Sequence, residues 1–426
     1  MGSITQLNMF QNQINRSSDI LERLYGINKE ELEKDYFVLR KKIPLGTKKP
    51  IEEYYDSNGK IDIEYVNSET VYRKIDTEET FNALFIAGAG TYKSSQIFRW
   101  MHYYNKLDYN CLIFDPKSYG LSKLNKPGNG KRIHPFEKPE GLPIHGCLPS
   151  FVMKKNTPKK GLENSLSKTF KTKFSLRIDQ LDEPSEWSTI FDSSISGGLN
   201  LVKLSKKYKD PVKILEVLNK VIAGKLRKEQ INTLTAKGLI PRMEHIISEE
   251  LFSLDYHELD VKSLWEMGKI LNISFFNRAA PFIRFTVGKT VERIKMMEEH
   301  LKNKSRKLIF YDDCTSYLAQ FNQAVQVVRM AIYDWRVYNF NQVFAVQSIK
   351  AIDTEILDSC RDKYICNMGN TDELSSYISN NVRDLIKNLV FDDKVQPFNV
   401  EYAKISKTGR TAESFYPFWS LCNNKK

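Results

Sequence analysis

The stretch Phe81–Ser95, FNALFIAGAGTYKSS, constrains the fold more than any other part of the chain. The apolar run Ala83–Ala87 reads as a strand buried on both faces. It breaks into Gly88-Ala89-Gly90-Thr91-Tyr92-Lys93-Ser94-Ser95, and a helical pattern follows through Ile97, Phe98, Trp100, Met101 and Tyr104. Strand, glycine-bearing turn and a helix that opens on Lys-Ser is the layout of a phosphate-binding loop. The glycines let backbone N–H groups converge on phosphate oxygens, and the helix N-terminus adds partial positive charge. In such a loop Lys93 reaches the β- and γ-phosphates of a nucleotide, and the Ser94 hydroxyl ligates Mg²⁺. The competing reading is an ordinary strand-to-helix turn that happens to contain Lys-Ser, so the rest of the chain has to decide.

Three further apolar runs end in polar groups. Lys307–Cys314, KLIFYDDC, closes on two acids. An acid at the end of a buried strand beside a phosphate loop holds Mg²⁺, and the next acid polarises the attacking water. Those roles fall to Asp312 and Asp313. Asn341–Ser348, NQVFAVQS, ends in Gln347, placed to sense a γ-phosphate or to orient water. Asn110–Pro116, NCLIFDP, ends in Asp115. Ligands of parallel α/β sheets gather at the carboxyl ends of strands, although a turn or helix cap is an equal use for Asp115. Asp362–Asn370 reads as the last core strand. The expected class is α/β, with a central, mostly parallel sheet.

The chain of 426 residues divides into four parts on this reading. Residues 1–80 form a small α+β module, with a helix at Asp19–Lys34 and strands at Tyr36–Ile43 and Ile61–Tyr65. Residues 81–125 open the core. Residues 126–260 are a mostly helical insertion with a basic loop. Overlapping its start, Lys117–Thr172 reads as irregular, and Met153–Lys173 carries seven lysines against the single acid Glu163. Glu183–Tyr256 is helical, with Pro211 at a helix start. Residues 261–426 complete the core with helices at Val287–Leu301, Phe321–Tyr338 and Asp372–Asn388, and end in a hairpin or two edge strands, Gln396–Ser406 and Ser414–Leu421.

Composition narrows the partners. The net charge is +12, from 64 basic and 52 acidic residues, which favours a polyanion. A lysine loop such as Met153–Lys173 suits phosphate contacts that need only flexible positive charge. The six cysteines show no CxxC and no zinc spacing, so they read as core residues of a reducing compartment. His134, His145 and Cys147 lack a fourth ligand for zinc. No stretch is long and apolar enough to span a bilayer, and the expected location is the cytoplasm.

Taken in order, ALFIAGAGTYKSS, NCLIFDPKSYG, KILNISFF, KLIFYDDCTSYL and DWRVYNFNQVFAVQSIKAIDTEILDSCRDKYICNMGNTDEL resemble the HerA/FtsK branch of additional-strand P-loop ATPases. That branch includes bipolar DNA translocases, conjugative coupling ATPases and viral genome-packaging ATPases. The last block is the most specific. An arginine at a helix end, a strand finishing in Gln, and Ile-Asp-x-x-Ile-Leu-x-x-Cys match Arg336, Gln347, Ile352-Asp353, Ile356-Leu357 and Cys360. The resemblance covers about Phe81–Leu124 and Lys269–Leu385, and in position only the helical insertion resembles the all-α domain of coupling ATPases. It implies a RecA-like core, ATP and Mg²⁺ as ligands, double-stranded DNA as partner, and a ring of identical copies, a hexamer, with ATP between subunits. Gly88 through Ser95 would bind the nucleotide. Lys93, Asp313, Gln347 and Arg336 would be catalytic, the arginine acting on the neighbour's phosphate. Ser94 and Asp312 would hold the metal. Tyr92 stands where the family carries glycine, and Asp313 where it usually carries Glu. Those departures support the alternative of a hydrolysis-deficient nucleotide- or DNA-binding subunit. A third reading, a small-molecule phosphotransferase, predicts a monomer. The Asn- and Lys-rich composition suits a virus or mobile element as source.

Overall fold

The computed structural model describes residues 36–88, 91, 93–116, 126–128, 130, 132–152, 170–192, 195–226, 231–276, 278–299, 301, 304–319, 323–366, 371–392 and 399–421. The strands are β1 (Lys42–Thr47), β2 (Thr70–Lys74), β3 (Asn82–Ile86), β4 (Asn110–Asp115), β5 (Ile144–Pro149), β6 (Phe170–Phe174), β7 (Ile270–Ser274), β8 (Lys307–Tyr311), β9 (Phe340–Val346), β10 (Asp362–Cys366), β11 (Phe391–Asp392), β12 (Asn399–Val400), β13 (Tyr402–Ile405) and β14 (Ala412–Pro417). All but the small β11–β12 pair join one twelve-stranded sheet, ordered β2-β1-β14-β13-β10-β3-β9-β8-β4-β7-β5-β6. From β10 to β6 every pairing is parallel. From β10 through β13, β14 and β1 to β2 every pairing is antiparallel.

The core strands are apolar throughout because both faces are covered. Leu84, Ile86, Leu112, Phe114, Ile309, Tyr311, Phe344 and Val346 face one layer, built from the helices of residues 184–248 together with Ala280–Glu299 and Gln323–Tyr333. Ala83, Phe85, Cys111, Ile113, Leu308, Phe310, Val343 and Ala345 face the other. There the Lys93–Asn105 helix packs with Ile43, Leu45 and Val71 of β1 and β2. All residues of the helix except Ser94 and Asn105 are buried.

Four sequence expectations need correction. Residues 42–74 are not a separate module, because β1 and β2 continue the main sheet through Gly46↔Pro417 and Thr47↔Tyr416. Ile61–Tyr65 is no strand. Asp62 accepts the Tyr65 N–H and caps a helix, Ile63–Glu69, which buries Val66; the short apolar-polar alternation carried too little information against a good N-cap. Tyr36–Leu39 is likewise a helical turn ahead of β1. Nor is Lys117–Thr172 wholly irregular. Its Ile144–Pro149 is a fully buried parallel strand, and Phe170–Phe174 is the sheet edge. Lys173 on that edge is exposed, and lysine at an edge discourages further pairing. The helices expected in 183–256 form at Pro184–Phe191, Gly198–Tyr208, Pro211–Ile222 and Thr233–Ser248. The hairpin expected at the C-terminal end is β13–β14. The Asp19–Lys34 helix and the part of the lysine loop at residues 153–169 lie outside the described residues. Cys111, Cys147, Cys314, Cys360 and Cys366 are buried and form no disulfide among the described residues.

Candidate functional site

β3 ends at Ile86 and the buried helix starts at Lys93, so the loop between them opens at the carboxyl edge of the sheet. Ala89, Gly90 and Tyr92 lie outside the described residues. The rest of the loop is well held. Lys93 Nζ donates to the Gly88 carbonyl at 2.6 Å and also to the Ala87 carbonyl. Thr91 Oγ1 donates to the Gly88 carbonyl at 2.7 Å. The Tyr402 hydroxyl on β13 donates to the Thr91 carbonyl at 2.8 Å, 311 residues away in the chain. A Cβ at Gly88 would meet no heavy atom within 4 Å. Ser95 departs from expectation. It is buried, and its Oγ accepts from the Ser420 N–H at 2.8 Å, so its hydroxyl serves the protein.

Asp312 follows β8 and is buried. Ser94 Oγ donates to its Oδ2 at 3.2 Å, which joins the loop to the acid across 218 residues. The Asp312 N–H donates to the Phe114 carbonyl at 3.1 Å, and its own carbonyl accepts from the Tyr317 hydroxyl at 3.1 Å. The parallel register Phe114↔Tyr311 sets Asp115 beside Asp312, and Asp115 is fully buried. Burial pushes the Asp312 carboxyl up to about 7; Asp115 and Asp313 add to the rise, while Lys93 and the Ser94 hydrogen bond oppose it. Two adjacent buried carboxyls thus lie beside one buried ammonium and a hydroxyl-bearing loop. That donor set suits a divalent cation with a bound triphosphate.

Asp313 takes the left-handed region, φ 42°, and its Oδ1 accepts from Gln347 Nε2 at 3.0 Å. β9, the strand that carries Gln347, lies between β3 and β8. The loop strand and the acid strand are therefore not neighbours, and Gln347 stands between their tips. Arg336 is elsewhere. It is exposed before the first residue of β9, with Nε donating to the Ile332 carbonyl at 3.1 Å. The length of β9, roughly 23 Å at about 3.3 Å per residue, separates it from Gln347. Within one chain the structure therefore brings together Lys93, Ser94 and Asp312, pairs Asp313 with Gln347 at the same edge, and leaves Arg336 at the opposite edge. Among the described residues, no group of His, Cys, Asp and Glu forms a metal cluster, His134, His145 and Cys147 included. Tyr402 and Tyr317 were not legible as site residues: Tyr402 lies far from the loop in the chain, and Tyr317, inside the block KLIFYDDCTSYL, carried no role of its own there; the fold brings them to the loop and the acid.

No protein-family profile and no curated protein matches the chain by sequence. Solved structures do match by shape. VirB4 of Thermoanaerobacter pseudethanolicus aligns over 89% of this chain and 96% of its own, with TM-score 0.53 and 12% identity. The plasmid coupling protein TrwB, in complex with the non-hydrolysable ATP analogue ADPNP, aligns over 90% and 95%, with TM-score 0.50 and 12% identity. The chain shares the fold of these two proteins, a helix-covered, mostly parallel sheet of the α/β class expected from the sequence. No helix among the described residues is long and apolar enough to cross a membrane.

Proposed function

We propose that the protein is an ATP-hydrolysing motor that moves double-stranded DNA, working as a ring of identical copies, a hexamer. The observation that carries this reading is the meeting of Lys93, Ser94 and Asp312 at one edge of the sheet. In the nucleotide complex Lys93 exchanges its two loop carbonyls for phosphate oxygens. The ammonium is already buried at the site, so little desolvation remains to be met on binding. Ser94 and Asp312 hold the magnesium ion, which when bound supplies positive charge to the phosphate oxygens. Asp313 takes the proton of the attacking water, and Gln347 fixes its carboxylate through the 3.0 Å hydrogen bond. Asp313 is one methylene shorter than Glu, which favours slow turnover. Arg336, exposed at the far edge, is available to a neighbouring copy, where a guanidinium stabilises charge on the transferring phosphate. The net charge of +12 favours DNA, gripped through its phosphates without base reading.

The test is ATP turnover of the full chain with and without double-stranded DNA at two salt concentrations, beside Lys93→Ala. The reading expects DNA-stimulated turnover that weakens with salt and vanishes in the variant. Turnover absent from both proteins while nucleotide still binds would favour the hydrolysis-deficient alternative.

A further inference from the structure

The phosphate-loop helix is tied to a part of the chain that no motif marks. Past β14, residues Phe418–Leu421 cross its first turns as a strap. The Phe418 carbonyl accepts from Gln96 Nε2 at 2.6 Å. The Trp419 carbonyl accepts from Arg99 Nη1 at 2.6 Å. The Ser420 N–H donates to Ser95 Oγ at 2.8 Å. On its other side the strap is fixed as firmly. Phe418 N–H donates to the Leu45 carbonyl at 2.8 Å, and Trp419 N–H to the Arg132 carbonyl at 2.7 Å. The Leu421 carbonyl accepts from Gly128 N–H at 2.8 Å and Glu140 N–H at 2.9 Å. Consecutive side chains of the helix, Ser95 and Gln96, and then Arg99 a turn later, thus each spend a polar group on strap backbone, and all three are buried.

A helix start fixed only by its own backbone is free to fray, since its first N–H groups have no intrahelical partner. Here those are the groups that a phosphate must find converged. We infer that the strap belongs to the nucleotide-binding apparatus. Ser95 and Gln96 are positioning residues that hold the phosphate-loop helix in its binding orientation by anchoring it to residues 418–420. This rests on the nucleotide reading given above and extends it to a segment over 320 residues away from the loop. Loss of an anchor leaves a buried polar group unsatisfied and lowers the fraction of molecules whose loop is ready to bind. Apparent affinity falls in proportion to that fraction.

The experiment is calorimetric titration of the full chain with Mg²⁺ and ADPNP, for wild type, Ser95→Ala, Ser95→Thr and Gln96→Leu, with melting temperatures taken without ligand. Ser95→Ala and Gln96→Leu should each bind about tenfold more weakly, the effect of one unsatisfied buried partner. Ser95→Thr keeps the acceptor and should recover most of the loss. In turnover, KM should rise while kcat holds. Should Ser95→Ala fail to fold, Gln96→Leu carries the test alone. Wild-type affinity in the folded Ala and Leu variants, or a loss in Ser95→Thr equal to that in Ser95→Ala, would overturn the inference and leave the nucleotide reading standing. A wild-type protein that binds no nucleotide would refute both.

Discussion

Replacing Asp312 by Asn separates the architecture of the site from its chemistry. The carboxyl is held at about 7 against an ordinary value of 3.8, first by burial and then by Asp115 and Asp313. A folded-state value above the unfolded one fixes the sign. The stabilising contribution is complete below pH 3.8 and is lost as pH rises through 7. At about 1.4 kcal/mol for each tenfold change in proton affinity, the loss over that interval is about 4 kcal/mol. Between pH 5 and pH 8 it is about 3 kcal/mol. An amide of the same shape does not titrate, so Asp312→Asn should lack this slope. The variant should be the more stable protein at pH 8 and nearly level with wild type near pH 4. It should nevertheless bind magnesium nucleotide poorly, because the charge that favours the cation is gone. Urea midpoints followed by far-UV circular dichroism at several pH values, without nucleotide and with chelator, measure the difference directly. Parallel pH profiles for the two proteins would refute a buried Asp312 carboxyl held above its ordinary value.

Other substitutions test other links. Arg99 and Glu137 form a buried ion pair beneath the phosphate-loop helix, with Tyr103 also donating to the acid. Arg99→Met should cost about 4 kcal/mol by leaving that carboxylate unpaired, and adding Glu137→Leu should return part of it, as read by denaturant midpoints. A Cβ at Gly46 would lie 2.0 Å from the Tyr416 carbonyl oxygen, where β1 meets β14. Gly46→Ala should therefore lose about 3 kcal/mol and lower the melting temperature. Arg336→Ala should leave nucleotide affinity untouched and cut turnover roughly a thousandfold, and an equal fall in affinity would place that arginine in its own chain's site.

The sequence made the chemistry legible and much of the geometry around it illegible, for physical reasons. Lys93, Ser94, Asp312 and Gln347 could be found because each stands at or beside the end of a buried strand or the start of a helix, where local pattern and chemistry coincide. The order of strands could not be found. Nothing local says that β9 lies between β3 and β8, since that order is set by the packing of whole layers. The pairing of Gly46 with Pro417 was hidden because those residues lie at opposite ends of the chain, and residues 1–80 read as a module of their own. β5 was hidden by its setting. IHGCLP contains Gly and Pro and sits among loop-forming residues, yet it is fully buried. Ser95 was assigned to the ligand by its place in the motif, while its hydroxyl is engaged by a backbone N–H from the far end of the chain.

The claim beneath all of this is that the lysine-serine loop and the aspartate it touches form one magnesium–nucleotide site. Titrating the full chain with ADPNP, in magnesium and in chelator, for wild type, Lys93→Ala and Asp312→Asn, tests it most directly. The account predicts magnesium-dependent binding near one nucleotide per chain in wild type, with strong losses in both variants. Equal binding by all three proteins, or binding indifferent to magnesium, would contradict it.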